Sequence, residues 1–183
     1  MKMIKFNVAS INCCTEAEGP YKRLCIWFQG CNLHCEGCCN PDYQAVMPKH
    51  ILSLKDIMDI VTESKRKFNI EGVTYSGGEP TLQKNLPMLT AEIKKSGLGV
   101  ICFTGHKYEE SAEILTGCDA VLDGPYIQGR KDEKRRILGS ENQRILCLTS
   151  RYQNCIDEWF LMSKGRTIEV NFGKKISING DCL

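Results

Sequence analysis

Gly30-Cys31-Asn32-Leu33-His34-Cys35-Glu36-Gly37-Cys38-Cys39-Asn40-Pro41 is the stretch on which the rest of the chain turns. Its three cysteines stand at a Cys-x3-Cys-x2-Cys spacing, directly after the apolar run Leu24-Cys25-Ile26-Trp27-Phe28. Thiolates are soft ligands, and clustered thiolates select zinc or iron–sulfur centres. A closed site of either kind wants four ligands. The next thiol, Cys39, is adjacent to Cys38, and neighbouring side chains seldom turn toward one metal. The economical reading is a cubane held by Cys31, Cys35 and Cys38, with one iron left open to bind and activate something. Two other readings stay open at this point. One is a structural zinc loop that borrows Cys39, Cys13 or His34. The other is an electron-carrying cluster whose fourth cysteine comes from afar.

Outward from the loop, the chain alternates. Residues 1–23 are mixed and read as turn-rich. Arg23–Gln29 reads as the first buried strand. The cysteine loop follows its C-terminal end, where open α/β sheets and barrels place their chemistry. Ser53 reads as an N-cap with Asp56 at the third helical position. Leu54, Ile57, Met58 and Val61 then recur at helical spacing to about Phe68. Ile70–Tyr75 is a short strand that ends in Ser76-Gly77-Gly78-Glu79-Pro80-Thr81. Asn85–Ser96 is a helix with Pro87 in its first turn and Gly97 beyond its end. A strand over Leu98–Phe103 runs into Thr104-Gly105-His106. Tyr108–Leu115 is a helix, and a strand over Asp119–Leu122 ends in Asp123-Gly124-Pro125. This is the rhythm of βαβ units on a parallel sheet.

The charged run over residues 129–136 reads as a solvated loop. Ile145–Leu148 is another apolar run. Thr167–Val170 and Lys175–Ile178 alternate like a small β-hairpin. The expected organisation is a single domain over residues 1–183, with a core over about 18–150 and a C-terminal extension over about 151–183.

Bulk properties exclude several classes. A chain of 183 residues suits one sizeable core. The net charge of +2 is too small to point to nucleic acid or an anionic membrane. No apolar run approaches the roughly 20 residues of a spanning helix. The N-terminus lacks the apolar region of a signal peptide, so a cytoplasmic location is expected. The 12 cysteines then point to a reducing interior rather than to disulfides. Cys25, Cys102 and Cys147 sit in apolar runs, where a thiol packs as a small hydrophobe. A second cluster from Cys118, Cys147, Cys155 and Cys182 would match no recurrent spacing. Trp27, Phe28, Trp159 and Phe160 read as core, the last two beneath the hairpin. His34 reads as a loop residue.

Ser76-Gly77-Gly78-Glu79 is the second signal. Two glycines at a strand end let backbone approach a ligand closely. The Glu79 carboxylate can accept from an ammonium group. Together with Cys31-x3-Cys35-x2-Cys38, this strip resembles the radical S-adenosylmethionine superfamily. Gln29-Gly30-Cys31 and Gly37-Cys38-Cys39-Asn40-Pro41 resemble, more narrowly, the activating proteins of glycyl-radical enzymes. The anaerobic ribonucleotide reductase activating proteins are the nearest group. Thr104–Glu110, Asp119–Pro125 and Gly139-Ser140-Glu141-Asn142-Gln143-Arg144 carry that narrowing.

The resemblance runs from about Glu18 to Arg144. It implies a truncated, open (β/α) barrel with one [4Fe–4S] cluster on Cys31, Cys35 and Cys38. The fourth iron would chelate S-adenosylmethionine. Ser76, Gly77, Gly78 and Glu79 would lie along the methionine amino group, with Thr104 and Asn142 also at the cofactor. The implied reaction cleaves the C5′–S bond reductively and passes a hydrogen from a partner's glycine to the 5′-deoxyadenosyl radical. Flavodoxin or ferredoxin is the implied electron donor.

The sequence departs from the family in places. Tyr21 stands where the family has glycine in Glu18-Gly19-Pro20-Tyr21-Lys22-Arg23. Cys39 and His106 stand where aromatics are common. A 7-carboxy-7-deazaguanine synthase-like enzyme is the rival within the superfamily. A non-catalytic iron–sulfur or zinc module is the rival outside it.

Overall fold

The structure, a computed structural model, describes residues 4–155, 158–159, 168–172 and 176–180. A fully buried strand, β2 (Arg23–Phe28), lies at the heart of the sheet. The strand β1 (Lys5–Thr15) pairs with it antiparallel. Lys5–Thr15 is thus an 11-residue strand, not expected in a turn-rich lead-in, while residues 16–22 bend as expected. Its pairing register shifts between Val8 and Ser10 and again between Asn12 and Thr15. Each bulge breaks the two-residue alternation by which a strand is read from sequence. The short edge strand β3 (His50–Ser53) pairs on the far side of β1 and was not anticipated.

Helix α1 (Leu54–Phe68) starts as expected. The Ser53 side chain accepts from the Asp56 N–H, and the Asp56 carboxylate accepts from the Ser53 N–H at 2.8 Å. Asn69, in the left-handed region, closes its end. Ile57 and Val61 point into the core, each burial contributing about 1.5–3 kcal/mol. The chain continues through β4 (Gly72–Gly77), α2 (Leu86–Lys95), β5 (Gly99–Phe103), α3 (Tyr108–Ser111), β6 (Ala120–Asp123) and β7 (Arg144–Cys147). α3 is one regular turn, shorter than the Tyr108–Leu115 helix expected. Turns carry the chain from there to Gly117, which sits at φ +88.

The strands form one seven-stranded sheet in the order β3-β1-β2-β4-β5-β6-β7. β2, β4, β5 and β6 are parallel, and β7 returns antiparallel on β6. The sheet is open, as the α/β expectation required, with β3 and β7 at its edges. A separate hairpin, β8 (Ile168–Phe172) and β9 (Ile176–Gly180), matches the expected one in place. Leu24, Ile26, Phe28, Val73, Tyr75 and Val100 bury one face of the sheet with α1 and α2. Ile101, Ala120 and Leu122 bury the other.

That division settles the other cysteines. Cys118 belongs to the first core, while Cys147 and Cys155 pack into the second, so the sheet separates them. Cys182 lies outside the described residues. Cys25 and Cys102 are fully buried, and Cys147 is half-buried. Trp27 and Phe28 are core. Trp159 stacks under the Arg136 guanidinium at 4.0 Å, and Phe160 lies outside the described residues.

The charged run is more ordered than a solvated loop. Asp132 accepts from the Lys134 and Arg135 N–H groups, and the Arg135 guanidinium donates to the Glu141 and Gln143 carbonyls. Arg130, Lys131, Glu133 and Lys134 are exposed as expected, whereas Arg135 and Arg136 are half-buried.

Candidate active site

The parallel strands all deliver their C-terminal ends to one edge, and the predicted residues gather there. The base of the cysteine loop is closed by backbone bonds. Gly30 N–H donates to the Tyr43 carbonyl at 2.8 Å, and Cys31 N–H to the Gln44 carbonyl at 2.9 Å. The Gln29 amide adds a bond to the Ala45 carbonyl at 2.8 Å. Cys31 is buried, and Cys35 and Cys38 are half-buried. Leu33 N–H donates to the Cys31 Sγ and Asn40 N–H to the Cys38 Sγ, both at 3.4 Å. Burial pushes the Cys31 thiol up, and the N–H groups of Leu33 and His34 pull against it. His34 is exposed at φ +50, a loop residue as expected.

Ser76 and Gly77 end β4 beside Trp27 and Phe28 of β2. Gly77 sits at φ +107, and a Cβ there would lie 2.4 Å from the Phe28 nitrogen. A Cβ on Gly78 would lie 2.2 Å from the Gly30 carbonyl oxygen. Only glycine fits either position. Gly78 N–H donates to the Phe28 carbonyl and Glu79 N–H to the Gly30 carbonyl. The strip therefore rests on the base of the cysteine loop. Asn40 makes a second tie, donating from Nδ2 to the Gly77 carbonyl at 3.4 Å. In the sequence, Asn40-Pro41-Asp42-Tyr43 reads only as a turn that closes the loop.

Glu79 is completely buried. Its Oε1 accepts from the Thr81 N–H, the Thr81 hydroxyl and the Thr104 hydroxyl. Among the described residues its Oε2 accepts only from the Gly105 N–H, at 2.9 Å. Among the described residues no cationic side chain lies within 4.0 Å of it. A buried carboxylate with four donors and no cation has its unused acceptor capacity on Oε2.

Thr104-Gly105-His106 bridges the two parts. Thr104 and Gly105 bond to Glu79, while Gly105 packs so tightly on Leu33 that a Cβ would meet it at 2.3 Å. Thr104 thus commits its hydroxyl to Glu79. Gly124, just past β6, donates to the His106 carbonyl at 3.2 Å. Asn142 donates to the neighbouring Pro125 carbonyl at 2.7 Å, and its Oδ1 is buried with no partner. Arg144 is committed inside the chain. It bonds to both oxygens of Asp123 and to both oxygens of Glu109, which holds its charge on β7 rather than offering it to a partner.

The donor set fits a three-cysteine cluster. Three free thiols lie within one loop, and two of them already take N–H···S bonds. Among the described residues no three His, Cys, Asp or Glu side chains converge on a single metal ion. A cubane asks for one thiolate per iron instead.

Comparison with known proteins adds a family. The model described as "4Fe-4S single cluster domain" matches residues 17–146. The chain is 26% identical over 139 residues to the anaerobic ribonucleoside-triphosphate reductase-activating protein of Enterobacteria phage T4, covering 72% of this chain and 88% of that protein. It is 34% identical over 157 residues to the pyruvate formate-lyase-activating enzyme of Staphylococcus aureus (strain USA300), covering 79% of this chain but only 62% of the enzyme. The crystal structure of QueE from Escherichia coli aligns with a TM-score of 0.47 at 20% identity, over 55% of this chain and 53% of that one.

Proposed function

Because the chain belongs to the 4Fe-4S single cluster domain family, we propose that it is a radical S-adenosylmethionine activating enzyme, acting on a glycine of a glycyl-radical enzyme. The carrying observation is the buried Glu79 carboxylate, without a cationic partner among the described residues and locked against the base of the three-cysteine loop. With one donor of its own, Oε2 keeps acceptor capacity for a cationic ammonium beside the three-cysteine loop. Two relatives named as activating proteins of glycyl-radical chemistry support the same reading. The phage protein, whose length is nearly all covered, favours an anaerobic ribonucleotide reductase as the partner.

In this reading Cys31, Cys35 and Cys38 hold three irons. Such a cluster, once reduced, would supply the single electron needed for reductive cleavage of S-adenosylmethionine, and the three thiols would hold it in place. The chain's own residues bind and orient. Gly77 and Gly78 present main chain without side-chain bulk, Ser76 adds a small hydroxyl beside them, and Glu79 receives the methionine ammonium on Oε2. Thr104 acts through Glu79, fixing its Oε1. Asn142 offers its unpartnered Oδ1 to a ligand hydroxyl or amine. Orientation lets a one-electron step proceed within a bound complex rather than between diffusing partners.

The electron comes from a flavodoxin or ferredoxin. The work is done in the cytoplasm, by one domain that spans residues 1–183. Among the described residues no helix is long and apolar enough to cross a membrane.

The test is a labelled partner. With the large reductase subunit carrying dideuterated glycine, turnover should place one deuterium in 5′-deoxyadenosine and leave a glycyl radical visible by electron paramagnetic resonance. Unlabelled 5′-deoxyadenosine with no protein radical would overturn the partner assignment.

A further inference from the structure

We infer that His106 is a positioning residue, holding the Cys31 end of the cysteine loop at a fixed place relative to Glu79. The inference rests on the function proposed above. His106 Nε2 lies 3.2 Å from the Asn32 Oδ1, so a side chain at the end of β5 grips the residue directly after Cys31. The acceptor is the amide oxygen, which makes Nε2–H the donor. Nδ1 faces Glu110 at 3.8 Å. The His106 backbone is fixed on both sides: its N–H donates to the Thr104 hydroxyl at 3.1 Å, and its carbonyl accepts from Gly124.

The Thr104 hydroxyl is the same group that holds Glu79 Oε1. One tripeptide therefore touches the carboxylate on one side and the cysteine loop on the other. Leu33 packs against Gly105 between the two contacts. The opposite end of the loop is tied independently, through Asn40 to Gly77. Without the His106–Asn32 contact, the loop would hang from the Asn40 tie, the Leu33–Gly105 packing and the backbone bonds at Gly30 and Cys31. The stretch from Asn32 onward would then have one fewer fixed point. That contact tunes how a cofactor bridging the cluster and Glu79 is held, not whether the chain folds.

The experiment uses the full chain, reconstituted anaerobically with iron and sulfide, and compares wild type with His106→Ala, His106→Phe, His106→Gln and Asn32→Ala. Iron content, thermal midpoint, S-adenosylmethionine dissociation constant by equilibrium dialysis, and the paramagnetic resonance spectrum of the reduced cluster with and without S-adenosylmethionine are measured. His106→Ala and His106→Phe should keep the iron content and the midpoint. They should weaken S-adenosylmethionine binding about fivefold, as loss of one hydrogen bond would, and alter the cofactor-bound spectrum. His106→Gln, which keeps a donor, should restore both. The double variant with Asn32→Ala should be no worse than either single change. Wild-type affinity and spectrum in both His106→Ala and His106→Phe, or additive losses in the double variant, would overturn the inference. Should His106→Ala fail to fold, His106→Phe against His106→Gln decides it. If wild type itself takes up no cluster or binds no S-adenosylmethionine, the functional reading falls, and this inference with it.

Discussion

At the scale of single residues, a buried arginine turns out to organise the end of the sheet opposite the site. Arg23 is fully buried, and its guanidinium donates to Thr74, Glu71, Tyr152 and the carbonyls of Pro20 and Val73. Removing it leaves each of those acceptors one donor short, most of them in a dry place, while Glu71 keeps its bonds from Tyr152 and Arg151. Arg23→Met should cost about 3–5 kcal/mol in anaerobic urea unfolding; a loss under about 1 kcal/mol would contradict this role. Nothing in the sequence signals such a hub, because its partners lie up to 129 residues away. The thiols were more legible, since apolar neighbours announce burial. Burial pushes Cys25 and Cys102 well up and Cys118 to about 12, with Asp119 adding to the last. Cys13 and Cys39 are exposed. At pH 8 iodoacetamide should therefore label Cys13 and Cys39 and spare Cys25, Cys102 and Cys118, as mass spectrometry of digests would show. Tyr21, the departure from a family glycine, stands at φ +63, a backbone angle that glycine adopts freely. It is held there by a hydroxyl–thiol contact of 3.3 Å to Cys155.

At the scale of elements, local chemistry was readable and long-range pairing was not. The capping box of α1 could be written from Ser53 and Asp56 alone. Ser53→Ala should lower stability by about 1 kcal/mol in thermal unfolding. The same box makes stability depend on pH. The Ser53 hydroxyl and N–H hold the Asp56 carboxyl below its usual value. The contribution of Asp56 is therefore complete above the unfolded value near 3.8 and fades as pH falls through the lower folded value. Ser53→Ala should flatten the acid limb of the stability profile, and an unchanged limb would contradict the assignment. β2, β4, β5 and β6 were legible as short apolar runs, each ending in a turn signal. β1 was not, because Asn7, Ser10, Asn12 and two bulges obscure its alternation. Its partners are set by the sheet rather than by its own pattern. α3 was read too long because the apolar spacing to Leu115 continues through turns after the regular helix stops.

At the scale of the molecule, the parallel strands of the open, mixed sheet put the cysteine loop, the Ser76–Glu79 strip and Thr104–His106 on one edge. The triplet, the strip and the strand-end placement were visible as spacing. The ties between them, Asn40 to Gly77 and His106 to Asn32, were not, since each joins segments separated by 37 and 74 residues. The opposite edge is clasped by the chain after β7. The Tyr152 hydroxyl donates to Glu71 at 2.6 Å and accepts from Arg23 at 2.9 Å, and Arg151 donates to Glu71 and to the Gly97 carbonyl. Tyr152→Phe should cost about 1–3 kcal/mol in the same unfolding experiment, with no change in cluster content. A loss of cluster without a loss of stability would contradict a purely structural clasp. The central claim concerns the other edge, and its most direct measurement is the yield of 5′-deoxyadenosine. The anaerobically reconstituted, reduced chain is incubated with S-adenosylmethionine, alongside Cys31→Ala, Cys35→Ala and Cys38→Ala. Wild type should release 5′-deoxyadenosine and methionine in equal amounts while each variant releases none. Wild-type yield no higher than that of the variants would contradict the account.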